Sequence, residues 1–348
     1  MIVAGTRPEW IKLASTIKHL DKENLCIVHT GQHTDIADDV LDTFYIDVDY
    51  NLSVMKHGQS LSKLMSTIIS RLEPVIQKEK PDLILVHGDT ITTASGAIAG
   101  MLNKCPVMHM EAGARSIFKY NPFPEEMNRR ITDVISDYHL CQAVPEIENL
   151  IKENVQSSYI VGNTAIDALK MLNEQKSISD IKNPKKILVT LHRRENWGDN
   201  CDKICEAVKQ LSEYEITFVC HPNPIVKDKI AKLLEDCEHV KIKDALGYRE
   251  FLDELSSAML AITDSGGVTQ EAPTLHTPVL ITRDVCENKE LLDNNLALIV
   301  GANTDAITLY ARALIEDTSL WKTMTGKNPY GEGDAYKKII KIIRGILK

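Results

Sequence analysis

The stretch IVAGTRPEWIKLASTIKHL, residues 2–20, decides the fold class of this chain. It starts with three apolar residues, continues through a Gly-Thr turn, and ends in apolar residues spaced as on one face of a helix. Pro8 suits the start of that helix, because its fixed φ is helical and the N–H that it lacks would have no partner there. The stretch therefore predicts a buried strand that leads directly into an amphipathic helix.

The same alternation recurs along the rest of the chain. Amphipathic patterns at residues 9–20, 61–78, 304–315 and 335–347 belong to helices between short apolar runs. Strands that are buried on both faces and joined by helices form parallel sheets. We expect strands at 2–4, 25–30, 83–86, 107–109, 138–141 and 159–161, and again at 187–191, 216–220, 240–242, 260–263, 279–281 and 298–300.

A polar segment at residues 173–184 separates the two series of strands. We therefore predict an α/β protein with two Rossmann-like domains, whose parallel sheets face a central cleft. The first domain spans 1–170, the linker 171–183 and the second domain 184–333. The last helix, within 334–348, is expected to pack back on the first domain.

Composition limits the partners and the compartment. A formal net charge of -9 argues against a broad nucleic-acid surface, which needs clustered Lys and Arg. No apolar run is long enough for a membrane span, and no signal-peptide pattern is present. The eight cysteines are scattered without a CxxC pair, which is typical of reduced, buried side chains. We expect a cytoplasmic protein that binds neither nucleic acid nor membrane.

Residues just after the strands are the ones to examine, because ligands bind beyond the carboxyl ends of parallel strands. In DSGGVTQEA (264–272), backbone N–H groups of Ser265, Gly266 and Gly267 can approach a phosphate, or the segment is an ordinary strand-to-helix turn. Glu271 is placed to bind a ribose diol or is a solvated helix residue. Arg7 and Lys12, after the first strand, are within reach of a diphosphate or are surface charges. No GxGxxG or Walker motif follows a strand, so we expect no dinucleotide and no cofactor.

Acid and base groups gather in the same loops. Asp89, Glu111 and Glu125 each follow a strand or open a helix in the first half. Crowded carboxylates have their pKa values pushed apart, so that one can act as a base while another stays protonated. Each is alternatively a helix cap or first-turn acid. His192 follows a strand of the second half, and it is either a loop histidine or a donor to a leaving phosphate.

A metal site is the competing interpretation of two of these loops. His87 with Asp89, and His109 with Glu111, have a spacing that is compatible with metal ligands. The same two histidines are equally compatible with buried, hydrogen-bonded side chains in a packed sheet. We predict no metal.

The loops resemble, in order along nearly the whole chain, those of the non-hydrolysing UDP-N-acetylglucosamine 2-epimerases. The matching segments are GTRPEWIK (5–12), TGQH (30–33), PDLILVHGDT (81–90), MEAGARS (110–116), PFPEEMNR (122–129), GNTAIDAL (162–169), HRREN (192–196), DSGGVTQEAP (264–273) and NPYGEG (328–333). The resemblance implies a glycosyltransferase-B type fold, a homodimer, and reversible conversion of UDP-GlcNAc to UDP-ManNAc through elimination and re-addition of UDP.

The resemblance also implies roles for particular residues. Catalytic carboxylates are Asp89, Glu111 and Glu125, with His192 near the phosphates. The residues implied to bind UDP and sugar are Arg7, Lys12, Arg129, Ser265, Gly266, Gly267 and Glu271. Those matching a second, regulatory UDP-GlcNAc site are Gln32, Arg194 and His221.

Two departures from the family pattern stand out. The family's usual RDxTERPE reads RDVCENKE here, with Asn288 and Lys289 in place of Arg-Pro. The helix that carries Thr67 lacks an expected arginine, and Asp35 stands where glutamine is common, so these departures argue against regulation by substrate.

Related functions remain open alternatives. Epimerases acting on UDP-diacetamido-uronic acids tend to read HRAEN and lack PFP, whereas this chain has HRREN and PFPEE. Hydrolysing epimerases typically have RADFG and HGGE, where this chain has RPEWI and MEAG. A UDP-sugar glycosyltransferase shares the fold but needs an acceptor cleft. A non-catalytic nucleotide-sugar sensor is disfavoured because every acid/base position is filled.

Overall fold

The computed structural model describes residues 1–116, 118–120, 122–174, 181–286 and 289–347. The chain divides into two compact units. Unit 1 comprises Met1–Met171 and Tyr330–Lys348, and unit 2 comprises Leu172–Pro329. Each unit is built around one parallel sheet. The prediction of two parallel α/β sheets is confirmed.

Unit 1 has a seven-stranded sheet in the order β3-β2-β1-β4-β5-β6-β7, in which every pair is parallel. Its strands are β1 (Ile2–Ala4), β2 (Ile27–His29), β3 (Tyr50–Asn51), β4 (Ile84–His87), β5 (Val107–Met110), β6 (Tyr138–Cys141) and β7 (Ser158–Ile160). Its helices are α1 (Arg7–His19), α2 (Asp35–Phe44), α3 (Leu61–Glu79), α4 (Ile91–Leu102), α5 (Glu125–Ile135), α6 (Val144–Lys152) and α7 (Thr164–Glu174), the last of which ends inside unit 2.

Unit 2 has a six-stranded parallel sheet in the order β10-β9-β8-β11-β12-β13. Its strands are β8 (Asn183–Thr190), β9 (Glu215–Val219), β10 (Val240–Lys243), β11 (Ala258–Thr263), β12 (Val279–Ile281) and β13 (Ala297–Ile299). Its helices are α8 (Asp199–Gln210), α9 (Pro224–Leu233), α10 (Tyr248–Ser257), α11 (Gly266–Glu271), α12 (Lys289–Asp293), α13 (Thr304–Glu316) and α14 (Thr318–Thr323).

The last helix, α15 (Ala335–Ile346), belongs to unit 1. His19 at the end of α1 stacks on Tyr336, with 4.0 Å between the ring centroids. The backbone N–H of Tyr336 donates to Asp167 at 2.8 Å. The carbonyl of the buried Tyr330 accepts from the N–H of Asn163 at 2.9 Å, so residues 330–333, which the sequence assigned to the second domain, group with unit 1.

The order of each sheet fixes where a ligand can approach. In unit 1, connections reverse direction between the neighbouring strands β1 and β4, and in unit 2 between β8 and β11. A crevice forms outside the carboxyl ends of two strands at such a switch point. The turn after β1 is closely packed, because a Cβ added to Gly5 would lie 1.8 Å from the side-chain Oγ1 of Thr30, which follows β2. The turns that follow β1, β4, β8 and β11 are therefore the places to look for a site.

Of the strands in the described residues, only one short edge strand was not predicted. The predicted strands are all present, with ends shifted by a few residues. The two-residue strand β3 at the sheet edge was missed, because a half-exposed pair of residues has no periodicity to detect. Among the described residues no helix is both long and apolar enough to cross a bilayer. The cysteines, all of which are described, are free thiols.

Candidate functional site

Helix α1 and strand β5 bring a cation and a carboxylate together at the switch point of unit 1. Lys12 lies on α1, and its Nζ is 2.5 Å from Oε2 of Glu111, which directly follows β5. The same oxygen lies 3.4 Å from Nε2 of His87, the last residue of β4. A Cβ added to Gly88 would lie 3.9 Å from Oε2 of Glu111, which places this carboxylate beside the turn that carries Asp89.

Glu111 is held as a carboxylate. Burial alone would raise its pKa, but the charge and hydrogen bond of Lys12, with the charge of Arg129, lower the pKa to about 2. Burial lowers the pKa of His87 to about 3, so this ring is neutral at physiological pH. Glu111 also has a φ of 62°, a left-handed conformation that non-glycine residues adopt at a cost of about 1–3 kcal/mol. Such local strain clusters at functional sites.

Asp89 is fixed by groups from α5. Its Oδ2 forms an ion pair with Nη2 of Arg129, and its backbone carbonyl accepts from Nδ2 of Asn128 at 2.9 Å. Burial alone would lower the pKa of Arg129, but Asp89, with Glu126 and Glu111, raises it. The resemblance implied that Arg129 binds substrate. In the structure its guanidinium forms an ion pair with Asp89, one of the carboxylates predicted to be catalytic.

The two adjacent acids at the start of α5 have different surroundings. Glu126 is completely buried, and it accepts from Nε of Arg130 at 2.6 Å and from the N–H of Ser116 at 2.9 Å. Glu125 is half-buried, and its side chain makes no hydrogen bond or ion pair with any residue that the structure describes. Glu126 therefore fixes the loop after β5, whereas Glu125 is available to a ligand.

A buried acid that the sequence analysis missed joins two of these loops. Glu9, on the first turn of α1, is 1% exposed. Its Oε2 accepts from the N–H groups of Gly5 and Thr6 at 2.8 and 2.7 Å, and its Oε1 accepts from the hydroxyl of Thr90 at 2.6 Å. The capping-box spacing of Thr6 and Glu9 was the available signal. Arg7, between them, donates its backbone N–H to Nδ1 of His33 at 3.3 Å.

Unit 2 gathers the remaining predicted residues at its own switch point. Asp264, buried after β11, accepts from the N–H groups of His192 and Arg193 at 2.7 and 3.0 Å. This ties the exposed His192 to the turn that contains Ser265, Gly266 and Gly267. Ser265 occupies the N-cap position of α11, between a strand and a helix as predicted from the sequence, but its side chain makes no capping hydrogen bond.

Glu271 ends that short helix and is buried. Its Oε1 accepts from the hydroxyl of Tyr248 at 2.8 Å. Tyr248 opens α10, and no motif in the sequence singled it out. A tyrosine that orients a carboxylate beside the glycine-rich turn suits binding of a diol next to a phosphate.

The family model for UDP-N-acetylglucosamine 2-epimerase matches residues 16–344. A UDP-N-acetylglucosamine 2-epimerase of Neisseria meningitidis serogroup A is 38% identical over 367 residues, which cover 99% of this chain and 98% of that protein. The chain belongs to the UDP-N-acetylglucosamine 2-epimerase family. The resemblance noted in the motifs is thereby confirmed.

Solved structures of epimerases of this family are also similar. The crystal structure of the Neisseria meningitidis epimerase bound to UDP-GlcNAc matches with a TM-score of 0.90 and 36% identity, covering 99% of both chains. The epimerase of Methanocaldococcus jannaschii, in complex with UDP-GlcNAc and UDP, matches with a TM-score of 0.81 and 31% identity over 99% of both chains. The similarity extends over both units.

The residues matched to a regulatory site of the family have structural contacts of their own. Oε1 of Gln32 accepts from the N–H and the hydroxyl of Thr92 at 3.0 and 2.8 Å. Thr92 lies in the first turn of α4, so Gln32 satisfies a backbone N–H at the start of that helix. The ring of His221 lies against Trp197 and His192, with centroids 5.1 and 6.0 Å away. The side chain of Arg194 and the departure at Asn288 lie outside the described part of the chain.

The two histidines weighed as metal ligands have protein partners. Nδ1 of His109 lies 2.6 Å from Asp133, and its Nε2 lies 2.7 Å from the carbonyl oxygen of Gly88. His87 faces Glu111. Within the described ranges, no group of three or more His, Cys, Asp or Glu residues is arranged to hold a metal ion.

Replacing Lys12 should raise the pKa of Glu111 in this family member. In Lys12→Met, the largest influence that lowers this pKa is lost while burial remains, so the carboxyl should titrate well above about 2. In the wild type, the ionised carboxylate adds stability above its ordinary pKa of 4.5, and this contribution disappears as the pH falls toward 2. Carbon-13 NMR of labelled glutamate carboxyls measures the shift.

Lys18→Met is the control, because Lys18 lies on the exposed face of the same helix. It should leave the titration of Glu111 unchanged. An unchanged titration in Lys12→Met would contradict the assigned electrostatics.

Proposed function

We propose that this chain interconverts UDP-GlcNAc and UDP-ManNAc by inverting C2, with neither NAD nor a metal ion. The observation that carries the proposal is the gathering of Asp89 and Glu111, each paired with a cation, at the switch point of unit 1 in a chain of this family. Glu125 opens the helix that supplies Arg129. Carboxylates with unlike partners can take different protonation states and different roles.

The chemistry demands such a set of groups. The C2 hydrogen of UDP-GlcNAc is not acidified by a neighbouring carbonyl, so its removal requires departure of UDP from C1. The C2–H and C1–O bonds break, a C1=C2 double bond forms, and the proton passes to a protein base. Re-addition of UDP at C1, with delivery of a proton to the opposite face of C2, gives UDP-ManNAc.

The acid/base roles are assigned to the three carboxyl groups of unit 1. Glu111 enters the reaction ionised, since its pKa is lowered to about 2 by Lys12 despite burial. Asp89 is oriented by Arg129 and Asn128. Glu125, without an ion-pair partner among the described residues, is placed to exchange a proton with the sugar. Arg7, Lys12 and Arg129 supply positive charge for the diphosphate.

Unit 2 is proposed to bind UDP. Backbone N–H groups of Ser265, Gly266 and Gly267 face the phosphates, and Glu271, oriented by Tyr248, accepts from the ribose hydroxyls. His192, whose backbone is fixed by Asp264, donates to the departing phosphate. A UDP-diacetamido-uronic acid would use the same nucleotide groups, so direct comparison of the two sugars as substrates tests that alternative. A glycosyltransferase would leave UDP-GlcNAc unchanged until an acceptor is added.

We also propose that the protein acts in the cytoplasm as a homodimer. The free thiols suit a reducing compartment. Helices α4 and α5 pack together, and large apolar side chains on them are exposed: Met101, Leu102, Ile131 and Val134. Such a surface suits an interface between copies. Light scattering should give twice the chain mass of 39.0 kDa, and a single-chain mass would contradict the dimer.

Purified protein mixed with UDP-GlcNAc alone should form UDP-ManNAc, in the presence of EDTA as well as without it. Asp89→Asn, Glu111→Gln and Glu125→Gln should each lower kcat by about 10²–10⁴-fold, the usual contribution of a positioned acid or base. Proton NMR of the anomeric signals follows both sugars.

Glu148→Gln is the matched control, because Glu148 is an exposed acid of unit 1. Its kcat should equal that of the wild type. Full activity in the Asp89 and Glu111 variants would remove the catalytic assignments, and loss of activity in EDTA would revive a metal-dependent mechanism.

A further inference from the structure

His109 is a buried histidine whose two ring nitrogens both face oxygen atoms. It lies on β5, two residues before Glu111, and is completely inaccessible to solvent. Nδ1 is 2.6 Å from Oδ1 of Asp133, and Nε2 is 2.7 Å from the carbonyl oxygen of Gly88. A backbone carbonyl can only accept a hydrogen bond, so Nε2 carries a proton and donates it.

The partner on the other side of the ring is a carboxylate. Burial alone would raise the pKa of Asp133, but the charge of His109 and that of Arg115 lower it. An ionised Asp133 accepts at Oδ1, so Nδ1 of His109 carries a proton as well. The ring and the acid thus form a charged pair in a site with no access to water, where an ion pair persists only with well-made hydrogen bonds.

Asp133 uses its second oxygen to hold a further loop. Its Oδ2 accepts from Nη1 of Arg115 at 2.7 Å and lies 3.2 Å from the N–H of Gly113. Gly113 is two residues beyond Glu111, and a Cβ there would lie 2.4 Å from the carbonyl oxygen of Glu146, so this loop has little room to shift. Arg115 is tied in turn to Glu153.

The contacts of this pair reach each of the three segments of unit 1 that carry a proposed catalytic carboxylate. Gly88 forms the peptide bond that leads into Asp89, and its φ of 74° is a left-handed turn whose carbonyl direction must be fixed. Gly113 follows Glu111. Asp133 itself lies on α5, the helix that starts with Glu125.

We propose that His109 and Asp133 are positioning residues for the epimerase reaction, and that the bond from Nε2 of His109 to the carbonyl of Gly88 sets the direction of Asp89. Neither side chain touches substrate. The pair acts by holding the three acid-bearing segments at fixed separations, in the way that supporting hydrogen bonds hold catalytic groups within a fraction of an ångström. The effect on rate rests on the proposed function, whereas the geometry does not.

Two substitutions of His109 separate its two bonds. The amide nitrogen of glutamine takes nearly the place of Nε2, so His109→Gln keeps a donor to Gly88. The amide nitrogen of asparagine takes nearly the place of Nδ1, so His109→Asn keeps a donor to Asp133 and loses the one to Gly88. Each variant removes one buried hydrogen bond and is therefore the control for the other.

The expected result is an unequal loss of kcat at an unchanged KM. His109→Gln should stay within about tenfold of the wild-type kcat, and His109→Asn should fall by about 100-fold, the scale of a misplacement near 1 Å. Hydrogen exchange of the peptide that contains residues 87–93 should rise in His109→Asn and not in His109→Gln. Equal kcat values for the two variants, or the reverse order, would overturn the proposal.

Nitrogen-15 NMR of the wild type keeps the proposal testable should either variant fail to fold. Nε2 of His109 should carry a proton and show coupling across a hydrogen bond to a backbone carbonyl. A His109 ring with an unprotonated Nε2 would exclude the bond to Gly88. Wild-type protein that lacks epimerase activity would refute the proposed function. The hydrogen-exchange and nitrogen-15 NMR tests of the His109 contacts would still apply.

Discussion

The ion pair between Lys12 and Glu111 is the interaction on which the site of unit 1 depends. Glu111 directly follows a buried strand and has a left-handed conformation, and burial disfavours its charge. Lys12 comes from the first helix of the chain, and the pair is possible only because β1 and β4 are neighbours while β5 lies next to β4. The sheet order thus brings together groups that lie far apart in sequence and stabilises a carboxylate that would otherwise take up a proton.

Neighbouring contacts likewise stabilise the charges of other acids that are buried or partly buried. Asp89 is matched by Arg129, Glu126 by Arg130, and Asp133 by His109 and Arg115. Glu9 is satisfied by hydrogen-bond donors of two loops. Among the described acids that open α5 or follow β4 and β5, Glu125 is the one without such a partner. The surroundings of its carboxyl group therefore differ from those of the neighbouring acids.

The sequence was sufficient for the sheets and for the types of chemical group, but not for their pairings. Runs of apolar residues report burial, so β1, β6 and β12 were located to the residue. Because ligands bind beyond the carboxyl ends of parallel strands, the acids that directly follow the predicted strands were identified as candidate site residues. Periodicity carries no information about which side chains meet, so the ion pair of Arg129 with Asp89 was not predicted. For the same reason Glu9 and Tyr248 were missed. The sequence was also compatible with His109 as either a metal ligand or a buried, hydrogen-bonded side chain.

The central claim is that carboxyl groups of unit 1 remove the C2 hydrogen and return a proton from solvent. It is tested most directly by running the reaction in D2O and measuring deuterium at C2 of both UDP-sugars by NMR. The account predicts deuterium at C2 of all UDP-ManNAc formed, and exchange that falls in parallel with turnover when Glu111 is replaced by Gln. UDP-ManNAc that retains the original hydrogen at C2, or a C2 hydrogen that never exchanges, would contradict it.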